Sequence, residues 1–201
     1  MFVALSSFIL VVAGSPLIRY IGAVSNMIII NGAPYSSQLT FSDNMYSIDK
    51  DNTKQSEFRK PNENELYGVI TCEHINLNAP LYYGDSESVL QRGAGQYTKS
   101  ALPGEGYPIL VGGHDASFFS VLKKVKVQDI VTLQTIDKKY EYQVTDIKVL
   151  DKNDSSAFDL KEKKEQLILY TCYPFGQLVG DRALRYYVYC ELLQHKSDDG
   201  E

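Results

Sequence analysis

Residues 167–176 read LILYTCYPFG: an apolar run ending on Cys172 and turning at once through Pro174 and Gly176. Four large apolar side chains in a row, closed by a proline and a glycine, are the signature of a short strand followed by a turn. Downstream, ALRYYVYCELL (183–193) is a second strand candidate. Alternation puts Leu184, Tyr186, Val188, Cys190 and Leu192 on one face and Arg185, Tyr187, Tyr189 and Glu191 on the other. The intervening YPFGQLVGDRA segment is a loop, so the two runs form an antiparallel pair that brings Cys172 beside Arg185. Cys172 shares its strand face with Ile168 and Tyr170, and Thr171 points the opposite way, a structural position.

Working outward, the same texture recurs. LYGVITC (66–72), APLYYGD (79–85), YPILVGGH (107–114), DIVTLQTI (129–136), KYEYQVTDIKVL (139–150) and EQLILYTC (165–172) are short and rich in Val, Ile, Tyr and Thr. Gly, Pro, Asn and Asp separate them, and DKK at 137–139 reads as a hairpin turn. Only SESVLQRG (86–93) and DASFFSVLKKV (115–125) look helical; in the second, Asp115 or Ser117 is the expected cap and Phe118, Phe119, Leu122 and Val125 form one face. Many short strands with one or two small helices predict a mainly β domain, a closed or partly closed barrel, starting near Leu66 and running to residue 195.

The N-terminal third has a different composition. FVALSSFILVVAGSPLI (2–18) carries no charge, and a second apolar stretch, YIGAVSNMIII (20–30), follows Arg19. A membrane-spanning helix needs ~20 residues, so residues 1–30 are read as a membrane anchor or hydrophobic segment. A cleaved signal peptide is the rival, but it lacks the basic start, and a helix packed on the domain is the third option. Residues 31–65 are polar and form a spacer or surface segment, and 196–201 are a polar tail.

Composition narrows the function. The chain has 201 residues, 44% of them hydrophobic, and a net charge of −5, with no basic cluster beyond KEKK at 161–164. One ordinary domain and no nucleic-acid partner are expected. Three cysteines, Cys72, Cys172 and Cys190, are too few for a disulfide framework and odd in number. With no CxxC pair, TCEH at 71–74 falls short of a zinc site, and no metal or cofactor is expected. Histidine is limited to His74, His114 and His195, the last in the polar tail. His114 closes a strand after two glycines that allow close backbone approach, which suits acid–base work near neutrality. Cys72 and Cys190 read as core thiols.

Taken together, LILYTCYPFG, the arginine in ALRYYVYCEL and the upstream SALPGEGYPILVGGHDASFFSVLKKVKVQDIVTLQT resemble the sortase family of cysteine transpeptidases, and among them class D. The resemblance spans roughly Tyr67 to Leu192. It implies a sortase-like barrel with Cys172 as nucleophile, His114 as the histidine and Arg185 as the arginine, and no cofactor. Arg182 is a second candidate for the arginine, because the spacing from Cys172 to Arg185 is one residue longer than class D leads one to expect. GVITCEHI and VGGH also depart from the family's usual GxIxIPxI and AGH. The resemblance further implies an LPxTG-like sorting-signal peptide as substrate and a cell-wall peptide amine as acceptor, on the extracellular face of a Gram-positive cell membrane. Other readings of the same residues are a thiol hydrolase of similar geometry and a non-catalytic surface barrel whose Cys172 is simply buried.

Overall fold

The computed structural model describes residues 59–136, 138–177, 180 and 182–193. The predicted anchor, the spacer up to residue 58, His195 and the polar tail lie outside the described residues. Within them, eight strands close into a barrel: β1 (Leu66–Cys72), β2 (Leu77–Tyr83), β3 (Ala94–Gln96), β4 (Ile109–Gly112), β5 (Ile130–Thr135), β6 (Lys139–Asp151), β7 (Gln166–Tyr173) and β8 (Leu184–Leu192). Their order around the barrel is β1-β2-β3-β4-β7-β8-β6-β5, so no sheet edge stays open along these strands. Most neighbours are antiparallel, including the predicted β5–β6 hairpin and β7–β8 pair. The β2–β3 and β4–β7 pairs are parallel.

That parallel pairing explains the unbroken LILY run. A strand next to a parallel neighbour is commonly covered on both faces and needs apolar side chains on each. Leu167 and Leu169 point into the barrel core with Ile70, Leu81, Ile109, Val111, Tyr142 and Val188. Ile168 and Tyr170 face outward, into a smaller apolar cluster with Leu110, Tyr187 and Tyr189, roofed by Ala157, Phe158 and Leu160 from the β6–β7 connection. The β8 face opposite the apolar set is therefore itself covered. Tyr187 and Tyr189 are buried, while Arg185 and Glu191 are half-buried.

The segment expected to be helical packs into the barrel core. Phe118–Lys124 forms a 3-10 helix, and Phe118, Phe119, Leu122 and Val125 are buried in the core. The predicted apolar face survives because three residues per turn stack i, i+3 and i+6, here Phe119, Leu122 and Val125, along one edge. The predicted cap differs. Ser117 occupies the N-cap position, yet its hydroxyl makes no cap bond and is buried without a partner, and the Asp115 carboxylate is engaged elsewhere. The other predicted helix is one turn, α1 (Glu87–Leu90). Three-residue β3 escaped the sequence reading, since three residues carry too little pattern.

At the barrel's start, Glu65 ties the end of the polar segment down, accepting from Arg59 at 2.7 Å and from the Asn62 backbone at 2.8 Å. Buried Glu165 joins β7 to the 103–107 turn: Oε2 accepts the amides of Gly104 and Gly106, both at 3.1 Å, and Oε1 accepts the Tyr142 hydroxyl at 2.7 Å.

Candidate active site

Cys172 is the penultimate residue of β7, and the register places it directly opposite Arg185 near the start of β8. The side-by-side relation expected from the two apolar runs is the observed one. On the other flank β7 runs parallel to β4, with Gly112 level with Tyr170. The pairing continues past the end of β4: Gly113 N–H donates to the Tyr170 carbonyl at 3.2 Å, and Thr171 Oγ1 donates to the Gly113 carbonyl at 2.7 Å. Cys172 and Arg185 are paired neighbours on adjacent strands, and His114 is the residue after Gly113, one step beyond the last of these contacts, so the three candidate groups come from adjacent chain segments. Thr171 is buried and spends its hydroxyl on Gly113, as its inward face predicted.

The glycines before His114 are required by packing. A Cβ on Gly112 would stand 2.8 Å from the Tyr170 ring, and one on Gly113 would stand 2.6 Å from the Phe119 ring. After Cys172 the chain turns through a cis Tyr173–Pro174 bond, and Gly176 has φ +73°, a left-handed conformation glycine adopts without cost.

Charges surround the rim unevenly. His114 Nε2 lies 3.6 Å from a carboxylate oxygen of Glu87 on α1. Arg185 Nη1 donates to the carbonyls of Arg182 at 2.7 Å and Leu184 at 2.9 Å, which holds the guanidinium against the β7–β8 connection. Arg182, the alternative arginine, is drawn aside: its Nη2 lies 2.5 Å from Asp115 Oδ1. A cleft of about 440 Å3 runs from Arg185 along the outer face of β7 and β8, lined by Leu110, Phe158, Leu160, Tyr170 and Tyr187, with Asp85 and Lys152 supplying charge of both signs. Burial pushes the Tyr170 phenol up to about 12, Asp85 adding in the same direction and Arg185 opposing.

The remaining thiols are different in kind. Cys72 and Cys190 are buried in the core, and burial raises the pKa of both, Cys190 far more. Cys172 is partly exposed and unpaired. His74 lies away from the rim and pairs with Asp129 at 2.9 Å. Among the described residues no group of His, Cys, Asp and Glu has the makings of a metal site. Sequence reasoning missed Glu87, Asp85 and the use made of Asp115. Only Asp115 carried a local signal, its place directly after His114.

A thiol, an imidazole and a guanidinium gathered on a mainly β barrel define a candidate cysteine acyl-transfer centre. The family model of the sortase domain matches residues 70–193. The chain is 32% identical over 139 residues to sortase D of Bacillus subtilis (strain 168), covering 69% of this chain and 70% of that one. Among solved structures, sortase C1 of Streptococcus agalactiae superposes with a TM-score of 0.59 at 26% identity, over 68% of this chain and 72% of that one. The sortase D5 transpeptidase of Clostridium perfringens shares the fold, with a TM-score of 0.60 at 20% identity over 67% of this chain and 83% of that one. The chain belongs to the sortase family of cysteine transpeptidases and is class D-like.

Proposed function

We propose that this chain cleaves an LPxTG-like sorting signal after its Thr, holds the acyl fragment as a thioester on Cys172 and passes it to a cell-wall peptide amine. The observation that supports the reading is the register of Cys172 opposite Arg185 across β7 and β8, with His114 two residues past the end of β4 on the other flank of β7 and an apolar-walled cleft that Arg185 lines. The charge-free N-terminal run supports placing the catalytic barrel outside the cell membrane, tethered by residues 1–30.

The chemistry follows from what each group is able to do. A free thiol has pKa ~8.5 and is only a few per cent ionised at neutrality, so a basic or cationic neighbour is needed. His114 accepts the thiol proton, and the Cys172 sulfur attacks the Thr carbonyl carbon. The C–N bond then breaks as the imidazolium returns the proton to the departing amine, leaving a thioester. Arg185 stays charged throughout; its fork of N–H donors stabilises the oxyanion of the tetrahedral intermediate and orients the peptide backbone. The incoming amine attacks the thioester and gives its proton to His114, which passes it to the sulfur as the C–S bond breaks and the thiol is regenerated. The cleft beside Arg185 suits an extended peptide with apolar Leu and Pro side chains, because Leu110, Phe158 and Leu160 wall it and tyrosine hydroxyls line it.

The test is cleavage of LPxTG-like peptides by the full chain, with and without an added amine, followed by mass spectrometry of the products. The wild type is expected to form the amine adduct, and Cys172→Ala to form nothing. Cleavage with water as the only acceptor would point to a hydrolase, and an inert, unreactive Cys172 to a binding module.

A further inference from the structure

Asp115 directly follows His114, is buried and uses both carboxylate oxygens across the same loop. Oδ2 accepts the backbone N–H of Gly176 at 2.8 Å, in the turn that leads away from Cys172. Oδ1 stands 2.5 Å from Nη2 of Arg182, whose own carbonyl accepts Arg185 Nη1 at 2.7 Å. One carboxylate thus touches the chain on either side of the β7–β8 connection while sitting next to the histidine. Arg182 Nε and Nη2 are buried without an aligned hydrogen-bond partner, so what Asp115 offers this guanidinium is its negative charge.

We infer that Asp115 is a positioning residue: through its hold on Gly176 and Arg182 it fixes the Arg182 carbonyl that aims the Arg185 guanidinium, whose backbone the β7–β8 register sets opposite Cys172. The inference rests on the transpeptidase reading and names a residue that reading does not use. Without the charge on Asp115, the Arg182 guanidinium turns toward water, its carbonyl moves, and Arg185 loses one of the two acceptors that aim it. Cys172 on β7 and His114 just past the end of β4 keep their places, because the β4–β7 register does not pass through the loop. The loss therefore falls on the chemical step more than on peptide capture or thiol reactivity. Displacing a group by about 1 Å costs on the order of a hundredfold in rate.

The experiment measures kcat and KM of the full chain with a sorting-signal peptide and an added amine, for the wild type, Asp115→Asn, Arg182→Gln, the double variant and Asp115→Glu. The rate of Cys172 alkylation by iodoacetamide is followed in parallel. Asp115→Asn is nearly isosteric and keeps an acceptor for Gly176, yet removes the charge. Expected are a fall in kcat of at least about tenfold with KM and alkylation near wild type, a double variant no slower than Asp115→Asn alone, and partial rescue in Asp115→Glu. Wild-type kcat in Asp115→Asn or Arg182→Gln, or losses that multiply in the double variant, overturn the inference. If Asp115→Asn fails to fold, Arg182→Gln decides, since it breaks the same pair from a side chain that is 31% exposed. A wild type that cleaves no peptide defeats the transpeptidase reading and the inference with it; an active wild type with unimpaired variants defeats the inference alone.

Discussion

Three cysteines in one chain give three different sulfurs, and the difference lies in what surrounds them. Cys72 and Cys190 are buried in the barrel core, where burial holds the proton on and, at Cys72, outweighs the backbone hydrogen bonds from Ile75 and His74 that favour the thiolate. Cys172 has the same covalent chemistry at the end of a strand whose outer face opens to the rim. In the folded protein near neutral pH, iodoacetamide is expected to modify Cys172 well ahead of the other two, with all three reacting once the chain is denatured. Peptide mapping of the labelled protein checks this, and labelling of Cys190 at a comparable rate would contradict it. Arg185 is expected to be needed as a fork and not merely as a charge. Removing one oxyanion donor typically costs about 10²–10³ in kcat, or ~2.7–4 kcal/mol, and Arg185→Ala is expected in that range. Arg185→Lys keeps the charge but not the paired planar donors, so it should restore little of the rate in a steady-state assay.

Single elements place these residues, and the glycines show how tightly. At Gly112, the last residue of β4, and at Gly113 just after it, two rings occupy the space a side chain would take. The Phe119 ring that faces Gly113 is fully buried in the barrel core and has no solvent to move into. Gly113→Ala is accordingly expected to destabilise by about 1–3 kcal/mol, the usual cost of overpacking. For a chain of this size each kcal/mol lowers Tm by roughly 2–4 °C, measurable by thermal denaturation. An unchanged Tm would mean that Phe119 has room to give. At this scale much was legible in advance. LYGVITC is β1 to the residue, the strands ending on Cys172 and beginning near Arg185 were placed within a residue or two, and β5 and β6 pair antiparallel as expected. Alternation and turn residues are local properties and announce themselves locally. Of the two expected caps on Phe118–Lys124, Ser117 holds the N-cap position without a cap bond, and the Asp115 carboxylate is claimed by two far-off partners, Gly176 and Arg182.

The molecule as a whole answers to pH through its tyrosines, of which the chain has 15. Burial pushes the phenols of Tyr170 and Tyr189 up to about 12 and raises those of Tyr67 and Tyr142 strongly. An unfolded chain ionises its tyrosines near pH ~10. The native state keeps these groups protonated above that point while the unfolded state has already released its protons, so stability falls with rising pH. The stabilisation is whole below about pH 10 and is lost between 10 and 12 as the buried phenols are forced to ionise. Phenolate absorbance is expected to rise in two stages, exposed tyrosines first and the buried set together with loss of the near-ultraviolet circular dichroism. A single stage near pH ~10 with the fold intact would show that the barrel does not shield them.

At this largest scale sequence and tertiary structure divide the work. The apolar periods, the turn residues and the scarcity of Cys and His by themselves determined a barrel of short strands and a short list of reactive groups, because periodicity and composition are written residue by residue. Tertiary structure decided the rest: that β4 lies parallel to β7, that the 152–165 connection roofs the outer face, that Glu87 faces His114, and that Asp115 holds Arg182 rather than a helix end. Each of these joins chain segments far apart in sequence, and no local pattern records which distant partner a charge or a strand edge will meet once the barrel closes.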